Sequence, residues 1–262
     1  MKGERRKRGH RVATANETYA VGRRPAMEAI RSGSARELLV SAAARETAEL
    51  RRLLDAAARR HVPIVRVTDE VIDRIASGVR HQRVAVRVAM PAIMDERSLE
   101  TMRWDADAVV LVLDGVTDPQ NVGAAARTAE AAGASALIVR RHRGAPNSFA
   151  ALKSSAGALF HLPVARVTNI TRTLKMLKGA GFWVAGLDAA GARTIHESER
   201  PPGPLALVVG SEGSGLSRLV RESCDELVAI PLTGKAESLN VAVAAGVGLF
   251  TYANKRRKPG GK

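Results

Sequence analysis

The sequence holds a single cysteine, Cys224, so it forms no internal disulfide and offers no second thiolate for a zinc knuckle. No stretch approaches 18 uninterrupted apolar residues, and the basic start of the chain runs into the polar segment from His10 to Glu17 with no apolar signal core behind it. A membrane-spanning or secreted protein is thereby disfavoured, and a cytoplasmic one is expected. Aromatic residues make up only 3% of the chain, too few for rows of side chains that stack on bases. Also missing are the GxGxxG dinucleotide fingerprint, the P-loop GK[ST] and the GxSxG elbow, which argues against a nucleotide-dependent oxidoreductase, a P-loop NTPase and an esterase.

What is present begins with charge. The formal net charge is +15, and the two ends hold most of it. Residues 1–11 carry Lys2, Arg5, Arg6, Lys7, Arg8 and Arg11 against Glu4, and residues 255–262 carry Lys255, Arg256, Arg257, Lys258 and Lys262, so each end contributes +5. Like-charge blocks at termini stay disordered and bind polyanions, with solubility as the plainer use. Nucleic acid is the expected partner, met through phosphate and shape rather than through stacked bases. The cluster Arg140-Arg-His-Arg143 is either a second such contact or a solvated turn.

At 45% hydrophobic and 26% charged, most of the 262 residues should fold, and the length fits two domains. Residues 1–16 read as a basic tail. Residues 17–90 form a small α/β unit: helix Arg24 to Arg31, strand Glu37 to Ser41, helix Arg45 to Arg60, strand Pro63 to Thr68, helix Asp69 to Ala76 and strand Val84 to Val88. Residues 91–107 break the periodicity and read as a linker. Residues 108–253 alternate strongly. The apolar runs Ala108 to Leu113, Ala136 to Arg140, Pro163 to Val167, Trp183 to Leu187, Leu205 to Val209 and Leu227 to Leu232 read as strands covered on both faces, and helices fall between them. The last helix, Leu239 to Ala253, is apolar around nearly its whole circumference, so it is buried either within the chain or against another subunit. Residues 254–262 form a second basic tail.

In a parallel α/β sheet, ligands bind beyond the carboxyl ends of the strands. Three segments stand there. Asn121-Val-Gly-Ala-Ala-Ala-Arg127 opens a helix that Asn121 is suited to cap; Gly123 permits close packing, and no neighbour competes for the Arg127 side chain. Gly210-Ser-Glu-Gly-Ser-Gly215 follows a strand and can expose backbone amides. Glu237-Ser-Leu-Asn-Val241 opens the last helix, where Ser238 and Asn240 either cap it or orient a ligand.

Together, Asn121 with Arg127, Gly210 to Gly215, and Ser238-Leu239-Asn240 resemble the three ordered motifs of the SpoU/TrmH family of RNA ribose 2′-O-methyltransferases, within the SPOUT superfamily. The resemblance spans residues 108–253. Asp114-Gly-Val-Thr-Asp-Pro-Gln-Asn-Val-Gly123 is similar to the branch that methylates a guanosine of bacterial 23S rRNA, as are Tyr19-Ala-Val-Gly22, Glu28-Ala-Ile30 and Gly78-Val-Arg-His-Gln82 in the N-terminal unit. Arg83 departs from that branch by standing where a glycine is expected.

The resemblance implies an α/β fold with a C-terminal trefoil-knotted methyltransferase domain, a small N-terminal L30e-like RNA-binding domain, and a homodimer. It implies S-adenosylmethionine as the cofactor and no metal. Backbone groups near Val209, Gly210, Gly213, Ile230, Leu232 and Leu239 would hold the cofactor, Asn121, Glu212, Ser238 and Asn240 would shape the site, and Arg127 would be the principal catalytic residue. The implied substrate is RNA, with 23S rRNA foremost and DNA not expected. A tRNA, a resistance-type 23S rRNA site, or a non-catalytic role in ribosome assembly are the other readings.

Overall fold

The computed structural model describes residues 18–78, 80–89, 93–141, 146, 148–199 and 201–256. Most of the two basic ends and part of the Arg140 to Arg143 cluster lie outside them. The chain divides into two compact units, residues 1–89 and 90–262.

The first unit runs β1 (Thr18–Val21), α1 (Arg23–Arg31), β2 (Ala35–Ser41), α2 (Ala48–Arg59), β3 (Ile64–Val67), α3 (Asp69–Ala76) and β4 (Val84–Val88). Its sheet has the order β1-β4-β2-β3, with β2 and β3 parallel and β4 antiparallel to both β1 and β2. The helical spacing of α2 turns Leu50, Leu53 and Ala57 inward, where they meet a core with Ile30, Leu38 and Ile72. Thr47 caps α2 by accepting from the Leu50 amide at 3.2 Å. Ala58, beside Ala57 in sequence, is exposed.

The second unit runs β5 (Ile93–Met94), α4 (Glu96–Glu100), β6 (Val109–Asp114), α5 (Pro119–Ala131), β7 (Ala136–Arg140), α6 (Phe149–Ser154), β8 (Val164–Val167), α7 (Ile170–Gly179), β9 (Trp183–Leu187), β10 (Arg193–Thr194), β11 (Leu205–Gly210), α8 (Arg218–Ser223), β12 (Glu226–Ala229) and α9 (Val241–Arg256). The sheet order is β10-β12-β9-β11-β6-β7-β8-β5, and all its strand pairs among the described residues are parallel. Every residue of β6 is buried, as its unbroken valine and leucine run requires of a central strand with helices on both faces. The chain moves outward from β6 through β7 to β8, then returns to lay β9 on the far side. β11 fills the place between β9 and β6, so the direction of winding reverses beside β6 and opens a crevice at the strand exits.

Of residues 91–107, expected as a linker, the described residues 93–107 instead contribute an edge strand and a helix to the large unit. β5 pairs with β8, Asp95 caps α4 through the Ser98 amide at 2.9 Å, Leu99 is fully buried, and the Trp104 ring meets Phe182 edge-on at 5.1 Å. A two-residue strand and a five-residue helix are too short to show a period. The strand expected over Leu227 to Leu232 ends at Ala229, leaving Ile230-Pro-Leu232 as loop.

Gly123 lets α5 lie against α6: a Cβ there would sit 2.0 Å from Ser154 Oγ and 2.2 Å from the Ala151 carbonyl oxygen. Gly123→Ala gains about 1 kcal/mol of helix propensity but forces two backbones apart, a strain of about 1 to 3 kcal/mol. Urea unfolding of this variant should show a lowered midpoint; an unchanged or raised midpoint would show that α6 yields freely.

Candidate functional site

The exits of β9, β11 and β12 and the start of α9 enclose a cavity of about 370 Å³, within the size range of small-molecule sites. Leu187, Asp188 and Ala189 line it from β9, Val209 and the loop Gly210 to Gly215 from β11, Ile230 and Leu232 from beyond β12, and Ser238, Leu239 and Val241 from the entry to α9. The walls are largely apolar side chains and main chain.

The β11 loop is held tightly. A Cβ on Gly210 would lie 2.1 Å from the Gly215 carbonyl carbon, so only glycine lets the two ends of the loop meet. The Gly215 amide donates to the Ser211 carbonyl at 2.9 Å, and the Ser211 and Ser214 hydroxyls share a hydrogen at 2.6 Å. Beyond the loop, the Ser217 amide donates to Asp114 Oδ2 at 2.8 Å. Asp114 is buried at the end of β6, so the loop is fastened to a strand more than a hundred residues away in sequence.

Glu212 ties the three motifs together. Its Oε1 accepts from Asn121 Nδ2 at 3.2 Å, from Asn240 Nδ2 at 2.7 Å and from the Val241 amide at 3.3 Å, and Asn240 Nδ2 also lies 3.0 Å from Asn121 Oδ1. Asn240 in turn caps α9 by accepting from the Ala242 amide at 3.0 Å. Asn121, expected as the cap of α5, is not its cap: Asp118 holds that place, accepting from the Gln120 amide at 2.9 Å with Pro119 at the first helical position. Pro119 lacks the amide hydrogen that a first-turn residue leaves unpaired, so the helix begins earlier and the Asn121 side chain is free for Glu212. Ser238 lines the cavity two residues ahead of the Asn240 cap.

Of the residues expected at the site, Val209, Gly210, Glu212, Gly213, Ile230, Leu232, Ser238 and Leu239 line the cavity, and Asn121 and Asn240 join it through Glu212. Arg127 does not. Six positions along α5 from Asn121 place it about 120° around the helix, exposed and away from the cavity. Asp188 and Arg221 escaped the sequence reading although both line the cavity. The signal for Asp188 was its place one residue past the buried strand Trp183 to Leu187, where the strand-exit rule applies.

A family model described as the SpoU rRNA methylase family matches residues 108–250, and one described as RNA 2′-O ribose methyltransferase substrate binding matches residues 19–94. The chain belongs to the SpoU rRNA methylase family. It is 39% identical over 259 residues to a Mycolicibacterium vanbaalenii protein named as an uncharacterized tRNA/rRNA methyltransferase, covering 98% of this chain and 82% of that one. It is 42% identical over 214 residues to the Haemophilus influenzae 23S rRNA (guanosine-2′-O-)-methyltransferase RlmB, covering 81% and 87%. The crystal structure of the SpoU methyltransferase AviRb from Streptomyces viridochromogenes in complex with AdoMet superposes with a TM-score of 0.76 at 28% identity, over 94% of each chain.

In this SpoU-family chain the sole cysteine, Cys224, is not among the residues that line the cavity. Burial pushes the Cys224 thiol up to about 12 against the pull of nearby Lys178, and the Sγ donates to the Val220 carbonyl at 3.3 Å. The thiolate is the reactive form, so a rise from 9.0 to about 12 lowers its population about a thousandfold near neutral pH. Iodoacetamide at pH 8 should label Cys224 at least a hundredfold more slowly in the folded protein than in urea; comparable rates would show that the thiol is neither buried nor shifted.

Proposed function

We propose that this protein transfers a methyl group from S-adenosylmethionine to a ribose 2′-hydroxyl of ribosomal RNA, with a guanosine of 23S rRNA as the substrate nucleotide. The single observation that carries this reading is the meeting of Asn121, Glu212 and Asn240 at the mouth of a largely apolar, backbone-rich cavity, in a chain of the SpoU family. Relatives named as 23S rRNA (guanosine-2′-O-)-methyltransferases at about 40% identity support the substrate. The matched substrate-binding model over residues 19–94 supports RNA recognition by the N-terminal unit, which we take to be the L30e-like domain.

The cavity suits the cofactor. Its aliphatic walls from Leu187, Ile230, Leu232 and Leu239 fit an adenine, and the main chain of the Gly210 to Gly215 loop fits polar edges. When bound, the cofactor supplies an electrophilic methyl group on a sulfonium. The protein's task is to hold the ribose hydroxyl in line with it, and such positioning is worth roughly 7 to 11 kcal/mol. Glu212, with its Oε1 committed to three donors, holds the β11 loop and the α9 entry in one arrangement. A guanidinium carries five N–H donors and no acceptor, so Arg127 is a poor base. We assign it to donate to the ribose oxygen or an adjacent phosphate and so to stabilise the developing negative charge.

We further propose a trefoil knot and a homodimer. β11 lies between β9 and β6, and the chain beyond β12 is fastened by Asn240 and Val241 to Glu212 of the β11 loop before α9 packs on α5 and β11, an arrangement that supports threading. On the other face of α9, Val243 and Phe250 are 52% and 45% exposed, with half-buried Val247 between them on the same side. An apolar stripe of this kind supports an interface with a second copy. A partner docked there gives Arg127 a route to the other subunit's cavity. Among the described residues no helix is long and apolar enough to cross a membrane, and we place the protein in the cytoplasm.

Labelled-methyl transfer to naked 23S rRNA, with 16S rRNA and tRNA in parallel, should mark a single 23S guanosine. Label on tRNA alone would move the substrate. Arg127→Lys should retain RNA and cofactor binding and lose about a hundredfold or more in kcat, because lysine lacks the planar fork. Near-normal turnover would overturn the assignment. If the site is completed across the dimer, co-refolded Arg127→Ala and Asn240→Ala subunits, each inactive alone, should recover activity towards about a quarter of the unmodified level. No recovery would mean that Arg127 serves its own subunit.

A further inference from the structure

Arg221, on α8, lines the cavity and is its only cation among the described residues; Asp188, Glu212 and Glu237 line it as well. Its position is fixed from beneath. Arg221 Nη2 lies 2.8 Å from Asp188 Oδ2, and the Asp188 side chain is only 5% exposed while that of Arg221 is 42% exposed. The other Asp188 oxygen accepts the Ala190 amide at 2.9 Å, which locks the carboxylate into the turn after β9. Asp188 Oδ2 has no aligned hydrogen bond, so its link to Arg221 is an ion pair off the hydrogen-bonding line. Arginine carries five N–H donors in a rigid fork. With Nη2 held against Asp188, the rest of the fork remains for a ligand.

We propose that Arg221, anchored by Asp188, recognises the amino-acid carboxylate of the cofactor, an inference that rests on the methyltransferase reading above. S-adenosylmethionine carries two positive groups, the sulfonium and the ammonium, and one negative group, the carboxylate. In a cavity whose other charged lining groups are acidic, a carboxylate beside Asp188, Glu212 or Glu237 is repelled, while a carboxylate at Arg221 gains a charge-assisted and geometrically matched partner. The acidic surplus in turn suits the two cationic groups. Arg221 is thus a specificity-determining residue for the amino-acid end, and Asp188 is the positioning residue that aims it.

The test compares two ligands on the full-length protein by calorimetry without RNA: S-adenosylmethionine, and 5′-methylthioadenosine, which keeps the adenosine and sulfur but lacks the amino-acid part. Arg221→Ala should weaken S-adenosylmethionine binding about 10- to 100-fold and leave methylthioadenosine affinity within about twofold. Arg221→Lys should restore part of the loss, and Asp188→Asn should weaken S-adenosylmethionine by a smaller factor with methylthioadenosine unchanged. Equal loss for both ligands would show a merely structural role and overturn the inference, as would undiminished S-adenosylmethionine binding in Arg221→Ala, the result expected if the carboxylate faces solvent. Failure of the unmodified protein to bind either ligand would instead overturn the methyltransferase reading itself.

Discussion

One carboxylate oxygen, Glu212 Oε1, receives three hydrogen bonds from two segments far apart in sequence: one from Asn121 in the first turn of α5, and two from the entry to α9, the Asn240 side chain and the Val241 amide. The site depends on that convergence. The Gly210 to Gly215 loop has its own internal bonds, and Asp114 secures its far end, but neither fixes its position relative to α9. A negative charge at a helix start is favourable because the free amide ends of the helix are positive, so the tie also stabilises the helix that closes the cavity. An exposed ion pair between long side chains would be worth little. Here the donors are two short amide side chains and a backbone N–H, which lose little freedom on being held.

Around this tie, small residues set the distances. Gly248 of α9 lies against Leu207 of β11, and a Cβ there would come within 2.7 Å of that side chain. Gly246 faces Thr128 of α5. The last helix therefore approaches the sheet and α5 at close range on one side while Val243 and Phe250 remain exposed on the other. Its all-round apolarity, which the sequence left open between internal packing and a subunit interface, divides between two faces. One is buried in the chain, and the other is exposed.

The elements most legible in the sequence are those with the most burial. β4, β7 and β9 begin and end where their residue patterns change, and β6 and β11 differ from the reading only at their ends. Hydrophobic pattern is a record of burial, and in a parallel sheet central strands are buried on both faces. β5 and β10, two residues each, leave no pattern to read. The exchange of roles between Asp118 and Asn121 was missed for another reason: both residue types cap helices, and only the proline between them discriminates. The motif residues were found as a set because three strand exits each carried polar or glycine-rich signals. Asp188 carried a comparable signal, an acid just past a buried strand, but its partner Arg221 comes from α8, and nothing in local sequence joins the two.

The separation of Arg127 from the cavity is the feature that most constrains how such a site can work. The chain's own strand exits build the pocket, its walls and the polar cluster at its mouth, and the cavity is lined within one chain. The arginine stands outside, on the exposed side of α5, next to the helix whose uncovered apolar stripe faces outward. Under the proposed reading, binding and catalysis then have different structural requirements. Ligand binding needs one chain, whereas completing the charge-stabilising group requires docking of a second chain or a substantial approach by the RNA. Under that reading the Arg127 fork meets the developing charge only once the complex is assembled, so its hydrogen bonds are made in the transition state rather than in the free chain.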